Sequence, residues 1–200
     1  MKLYHYAYSG HSHRVRLMFS LMGVQYEAIT VDLRRGENKT AAYLALNPLG
    51  EVPTLVDGDQ VVTDSTAALV YLAKKYQATQ WLPDDPMGAA RVQRWLSVAS
   101  GELYRGPFTA RAIKIFNRAA DYEAACQTSE DLFKWMQREL ATRSWLAADH
   151  ATIADIAIYS YVRVADEGGL DLSSYSAITR WLERVEQLEG FVPMPRTGTQ

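Results

Sequence analysis

Lys2-Leu3-Tyr4-His5-Tyr6-Ala7 and Gln25-Tyr26-Glu27-Ala28-Ile29-Thr30-Val31-Asp32-Leu33 bracket a stretch in which Val15, Met18, Leu21 and Met22 recur at helical spacing. The first segment alternates polar and apolar residues and carries aromatics, so it reads as a strand. Ser9-Gly10-His11-Ser12 is turn chemistry, and Ser12 is suited to cap the helix that follows. That helix should stop at Gly23, and residues 25 to 33 read as a second strand. A strand, a helix and a strand within about 33 residues make a βαβ unit, which demands parallel strands and a right-handed crossover.

Outward from this unit, Ala41 to Leu46 reads as a short helix stopped by Asn47-Pro48-Leu49-Gly50. Val52 to Val56 and Gln60 to Thr63 flank the turn Asp57-Gly58-Asp59, the pattern of a hairpin. Asp64 is a good N-cap for a helix over Ser65 to Tyr76. Residues 1 to 76 therefore form a small α/β domain with one mixed sheet. Residues 77 to 86, with Pro83, Asp84, Asp85 and Pro86, read as a linker.

Residues 87 to 200 carry no strand signal. Helical patterns cover 87 to 117, 119 to 142, 152 to 167 and 174 to 188. From Ile153 to Ala165 the third helix has almost no polar face, so it belongs at the centre of an all-helical domain. Thr152-Ile153-Ala154-Asp155 at its start has the spacing of a capping box, which satisfies N–H groups that water cannot reach.

The 200 residues include 48% hydrophobic and 22% charged, with a formal net charge of −2. These values exclude disordered and fibrous classes and give no reason to expect a nucleic acid or an anionic membrane as partner. No apolar run approaches the roughly 20 residues that span a bilayer. The single cysteine, Cys126, rules out an intrachain disulfide and fits a reducing, cytoplasmic setting.

Thioredoxin-like oxidoreductases place Cys-x-x-Cys in the loop from strand one to helix one, where a helix N-terminus favours a thiolate. Here that loop holds serine at both positions, Ser9 and Ser12, so the chain has no dithiol of its own there. A thiol handled at this loop must come from a ligand. A serine hydroxyl that donates to the thiolate, together with the helix N-terminus, can depress its pKa by about two units, or about 2.7 kcal/mol. The plain alternative for both serines is turn and cap duty.

Asn47-Pro48-Leu49-Gly50-Glu51-Val52-Pro53-Thr54-Leu55, followed by Asp64-Ser65-Thr66-Ala67, resembles the glutathione-site signature of the cytosolic glutathione transferases. Thr152 to Ala157 resembles their buried capping motif. Ser9 with Arg14-Val15-Arg16-Leu17 looks like their serine-type members. The resemblance implies a thioredoxin-like first domain and an all-α second domain. It implies a cis Val52–Pro53 bond that exposes the Val52 backbone to an extended peptide ligand. Asp64 and Ser65 would meet the γ-glutamyl end of glutathione and Lys39 its glycine carboxylate. Among Ser9, His11 and Ser12, Ser9 is the choice for thiol activation, with Tyr6 and Tyr8 as lesser rivals. Tyr8, Tyr104, Phe108 and Arg111 would wall a pocket for a small apolar electrophile. The resemblance also implies a homodimer.

The sequence departs from the pattern at Asp64, where an acid one methylene longer is usual, and at His11, where bacterial thiol reductases of the family often carry Asn. His11 keeps open a glutathione-dependent disulfide or peroxide reductase, and a non-catalytic binding module is a further alternative. His5, His11 and His13 lie close in sequence but have no acid or cysteine beside them to complete a metal site, so no metal is expected.

Overall fold

The computed structural model describes residues 1–198. In chain order it contains β1 (Lys2–His5), α1 (Gly10–Leu21), β2 (Glu27–Thr30), α2 (Ala41–Leu46), β3 (Thr54–Asp57), β4 (Gln60–Val62) and α3 (Ser65–Lys75). The remainder is helical: α4 (Pro86–Ser100), α5 (Thr109–Phe116), α6 (Tyr122–Ala141), α7 (Ile153–Arg163) and α8 (Ser176–Glu186). The four strands form one mixed sheet in the order β2-β1-β3-β4. β1 pairs parallel with β2 and antiparallel with β3, so Leu3 lies between Ala28 and Leu55. This is the thioredoxin-like layout that the βαβ and ββα segments demand.

Several boundaries differ from expectation for identifiable reasons. Ser9, not Ser12, caps α1: its Oγ accepts the Ser12 N–H at 3.2 Å, so the helix begins earlier, at Gly10. The second strand is paired only over Glu27–Thr30, the span that finds partners on β1. Pro86 is not linker but the first residue of α4, where a proline's missing N–H costs nothing, and Asp85 caps it.

The helix expected over 87 to 117 is broken. α4 ends at Gly101, and a wide π-helical turn spans Tyr104–Phe108 before α5. Pro107 lies inside that turn and has no N–H to give to the residue four back. Thr109 Oγ1 donates instead to the Tyr104 carbonyl at 2.8 Å. Asn117, in the left-handed region at φ 53°, ends α5.

α7 is buried from Ile153 to Val162 and contacts α1, α3, α4 and α8. Its polar start is fully paired. Asp155 accepts the Thr152 N–H at 2.9 Å, the Leu146 N–H at 3.0 Å and the Trp181 indole N–H at 2.9 Å. Burial lifts its carboxyl above the ordinary range, and these donors oppose that rise. The capping box expected from the sequence is present.

α1 meets α7 through a second buried polar contact. The His13 Nε2–H donates to the Val192 carbonyl, and Nδ1 accepts from the Ser160 hydroxyl, both at 2.9 Å. Burial lowers the His13 pKa to about 4, against a smaller upward pull from the Val192 carbonyl. The unfolded chain, with an ordinary histidine near 6.5, therefore binds this proton first. The associated stability is complete above pH 6.5 and disappears as pH falls towards 4, a loss of about 3 kcal/mol. Melting temperatures of the wild type and His13→Gln measured from pH 7 to 4 should converge at acid pH, and parallel curves would disprove the assignment.

Candidate functional site

The starts of α1 and α3, the loop before β3 and the α4–α5 corner enclose a cavity of about 550 Å³. Each wall has a local cause. Ser9 lies at the cap of α1. Its Oγ lone pair is used by the Ser12 N–H, so its own O–H is free to donate into the cavity. Ser12 does not line the cavity. It is fully buried, and its Oγ accepts the Tyr6 N–H at 3.2 Å, so it braces the loop from below.

His11 lines the cavity and is fixed by Tyr161 of α7. The Tyr161 hydroxyl accepts the His11 backbone N–H at 3.3 Å and faces its Nδ1 at 2.8 Å. Burial first, and the charge of Arg14 second, hold the His11 pKa well below 6.5, so the imidazole is neutral.

The loop 47 to 53 forms the opposite wall. Gly50, at φ 62°, occupies a left-handed corner that few side chains tolerate, and its carbonyl accepts from Asn38 Nδ2 at 2.7 Å. Lys39 Nζ reaches the Leu49 carbonyl at 3.3 Å. The Val52–Pro53 bond is cis. The Val52 N–H and C=O have no hydrogen-bond partner among the described residues and border the cavity.

α3 supplies the third wall. Asp64 caps it, with Oδ1 accepting the Ala67 N–H at 2.8 Å and the Thr66 hydroxyl at 2.5 Å. That leaves the Ser65 and Thr66 N–H groups without partners. Arg14, 1% exposed, donates from one terminal nitrogen to Ser65 Oγ at 3.1 Å. Its Nε and its other terminal nitrogen have no hydrogen-bond partner, and among the described residues no carboxylate is within ion-pair distance. Burial lowers even this guanidinium, to a pKa of about 10. An unpaired buried cation beside free helix N–H groups is a ready receptor for a carboxylate.

On the helical side stand Tyr104 and Phe108, stacked at 4.6 Å on the π-helical turn. Beyond them a second cavity of about 420 Å³ includes Tyr8, Phe108 and Arg111, and shares Ser9, Leu33, Phe108 and Arg118 with the first. Tyr104 lines only the first cavity and Arg111 only the second. Tyr6 is buried at the edge of the second cavity, and burial raises its pKa, which suits a neutral wall residue. Arg14 and Tyr161 were not singled out from the sequence as site residues. Arg14 stands in the quoted Arg-Val-Arg stretch, whereas Tyr161 is hidden within an apolar helix.

Gly10 is where α1 touches α7 most closely. A Cβ at that position would lie 2.6 Å from the Tyr161 ring, which is buried, so one of the two must shift. Gly10→Ala should cost about 1–3 kcal/mol by overpacking. It should also shift the Ser9 loop, weakening ligand binding at the first cavity. A variant with unchanged melting temperature and ligand affinity would contradict this packing.

The glutathione S-transferase N-terminal domain model matches residues 8–75, and the C-terminal domain model matches residues 100–189. Glutathione S-transferase 3 of Zea mays is 34% identical over 164 residues, which cover 78% of this chain and 73% of that relative. A zeta-class glutathione S-transferase of Euphorbia esula is 47% identical over 85 residues, spanning 42% of this chain and only 38% of that relative. The crystal structure of a glutathione S-transferase from Pseudomonas fluorescens superposes with a TM-score of 0.91 at 33% identity, covering 98% of both chains. Whole-length likeness in fold and matches to both domain models lead to one conclusion: the chain belongs to the glutathione S-transferase family.

Proposed function

We propose that the chain is a glutathione transferase that binds glutathione across the first cavity and joins its sulfur to a small, largely apolar electrophile held in the second. The observation that carries this reading is the row of unused hydrogen-bonding groups along one cavity. These are the Ser9 hydroxyl at one helix start, the free Val52 backbone pair in the middle, and the free Ser65 N–H at another helix start. An extended peptide with a thiol and a carboxylate matches that row in order.

In this scheme Val52 pairs with the peptide backbone as a strand edge would. Ser65, with its hydroxyl oriented by Arg14, takes the γ-glutamyl carboxylate, and Asp64 attracts the ammonium group. Lys39 faces the glycine carboxylate. Ser9 donates to the sulfur, and His11 borders the same region as a neutral imidazole. The α1 N-terminus, which has no acid in its first turn, adds its dipole. The thiolate attacks the electrophile and the S–C bond forms. Either a leaving group departs with its electron pair, or the carbanion left by addition takes a proton. The protein forms no covalent bond of its own, and the acceleration comes from ionising and positioning the thiol.

Among the described residues no helix is long and apolar enough to cross a membrane. Glutathione as co-substrate and the lone Cys126 suit the cytoplasm, where thiols stay reduced. We also propose a homodimer, on the family's habit.

Ultraviolet absorbance of bound glutathione, titrated with pH, tests the activation step. The thiol pKa should lie well below the free value of about 8.5 and return towards it by about one to two units in Ser9→Ala. Ser9→Thr, which keeps both hydroxyl and cap, should preserve the shift. An unshifted thiol in the wild type would remove the mechanism. Light scattering at micromolar concentration should give a dimer mass, and a monomer would refute the assembly.

A further inference from the structure

The second cavity contains a charge pattern that a purely apolar substrate does not explain. We propose that the electrophile is amphiphilic, with an apolar body that carries the reacting carbon and a carboxylate at its far end. This inference rests on the transferase reading above and narrows its substrate class.

The walls supplied by Leu33, Ile115, Phe108 and Phe116 are apolar, and they would bury the body of the substrate. Three guanidinium groups, from Arg34, Arg111 and Arg118, line the same space, and no Asp or Glu does. Arg111 is paired with Glu167, which lies outside the cavity and is fully engaged, and the Asp32 carboxylate accepts the Arg34 backbone N–H at 2.9 Å without pairing with its guanidinium. One Glu167 oxygen holds Arg111 Nε at 2.6 Å, and the other accepts the Thr197 N–H at 2.7 Å and hydroxyl at 3.1 Å. Arg34 and Arg118 have no carboxylate within ion-pair distance among the described residues. Arg118 instead donates to the Tyr104 hydroxyl at 3.0 Å and lies over the Phe108 ring at 5.2 Å. Arg34 lies over the Tyr8 ring at 5.9 Å.

Arg111 adds an independent observation. It is 2% exposed. Its Nε goes to Glu167, one terminal nitrogen goes to the Tyr8 carbonyl at 2.9 Å, and the other terminal nitrogen has no partner. A buried N–H donor without an acceptor is a standing cost that a ligand acceptor can relieve. Glu167 balances Arg111, and the one negative charge of a thiolate at Ser9 leaves the guanidinium groups of Arg34 and Arg118 in excess. A planar carboxylate is the anion whose two oxygens match the fork of a guanidinium.

The test compares S-hexylglutathione with the S-alkyl conjugate of the same chain length that ends in a carboxylate. Both place the glutathione part in the first cavity and the alkyl arm in the second. Titration calorimetry at low salt should show the acid binding about tenfold tighter, an advantage of about 1.4 kcal/mol. High salt should erode that ratio, because Arg34 and Arg118 are exposed. The double variant Arg34→Gln/Arg118→Gln, both at surface positions and therefore safe for folding, should bring the ratio close to one. Equal affinities in the wild type, or tighter binding of the hexyl conjugate, would overturn the inference and leave the glutathione reading intact. Failure of both conjugates to bind would refute the glutathione site itself.

Discussion

The seating of one tyrosine against one glycine governs the rest of the molecule. The Tyr161 ring from α7 fills the space where Gly10 has no side chain, and its hydroxyl takes up the first free N–H groups of α1. A buried helix end needs such a partner, because water cannot supply one. The helix that carries Ser9, His11 and Arg14 is thus set in place by the helical half of the chain. His13, two residues further on, repeats the attachment through Ser160. The sheet gives the site its floor, but α7 gives it its position.

Polar groups buried around α7 divide into two kinds. Those at the Asp155 cap are fully paired and fix the structure: one carboxylate joins the Leu146 turn, the start of α7 and the Trp181 indole of α8. Those facing the cavities are left incomplete, at the side chains of Arg14 and Arg111 and the backbone of Val52 and Ser65. Leaving a buried donor unmet costs of order 1–3 kcal/mol, more when it is charged. Among buried side chains of the described residues, the incompleteness is confined to Arg14, Arg111 and His5 Nδ1. The site is therefore built by withholding partners as much as by supplying ligands.

The βαβ unit, the hairpin and the buried α7 were legible in the sequence because each rests on local periodicity or turn chemistry. α2 was read to the residue, since Thr40 and Asn47 bound it on either side. The break in the 87 to 117 helix was not. Gly101 and Pro107 were visible as letters, but helices often absorb single breakers, and only packing against α6 and α7 decides that a π-helical turn is kept. The same turn sets Tyr104 and Phe108 on the cavity wall. Ser12 was misread as the cap because three serine and glycine positions compete for that duty, and the choice depends on where β1 ends. The role of Tyr161 lay beyond reach: in a helix that is apolar all round, nothing local distinguishes a tyrosine that packs from one that reaches across 150 residues to His11.

That long reach has a consequence for how the protein is made. α1 leaves the ribosome well before α7, and the partners His13 and Ser160 are 147 positions apart. At about 5–20 residues per second, the interval is on the order of ten to thirty seconds. Throughout it, the face of α1 that will receive α7 is bare. A nascent first half therefore has no finished site for its ligand and presents an apolar face to whatever chaperone waits at the tunnel exit.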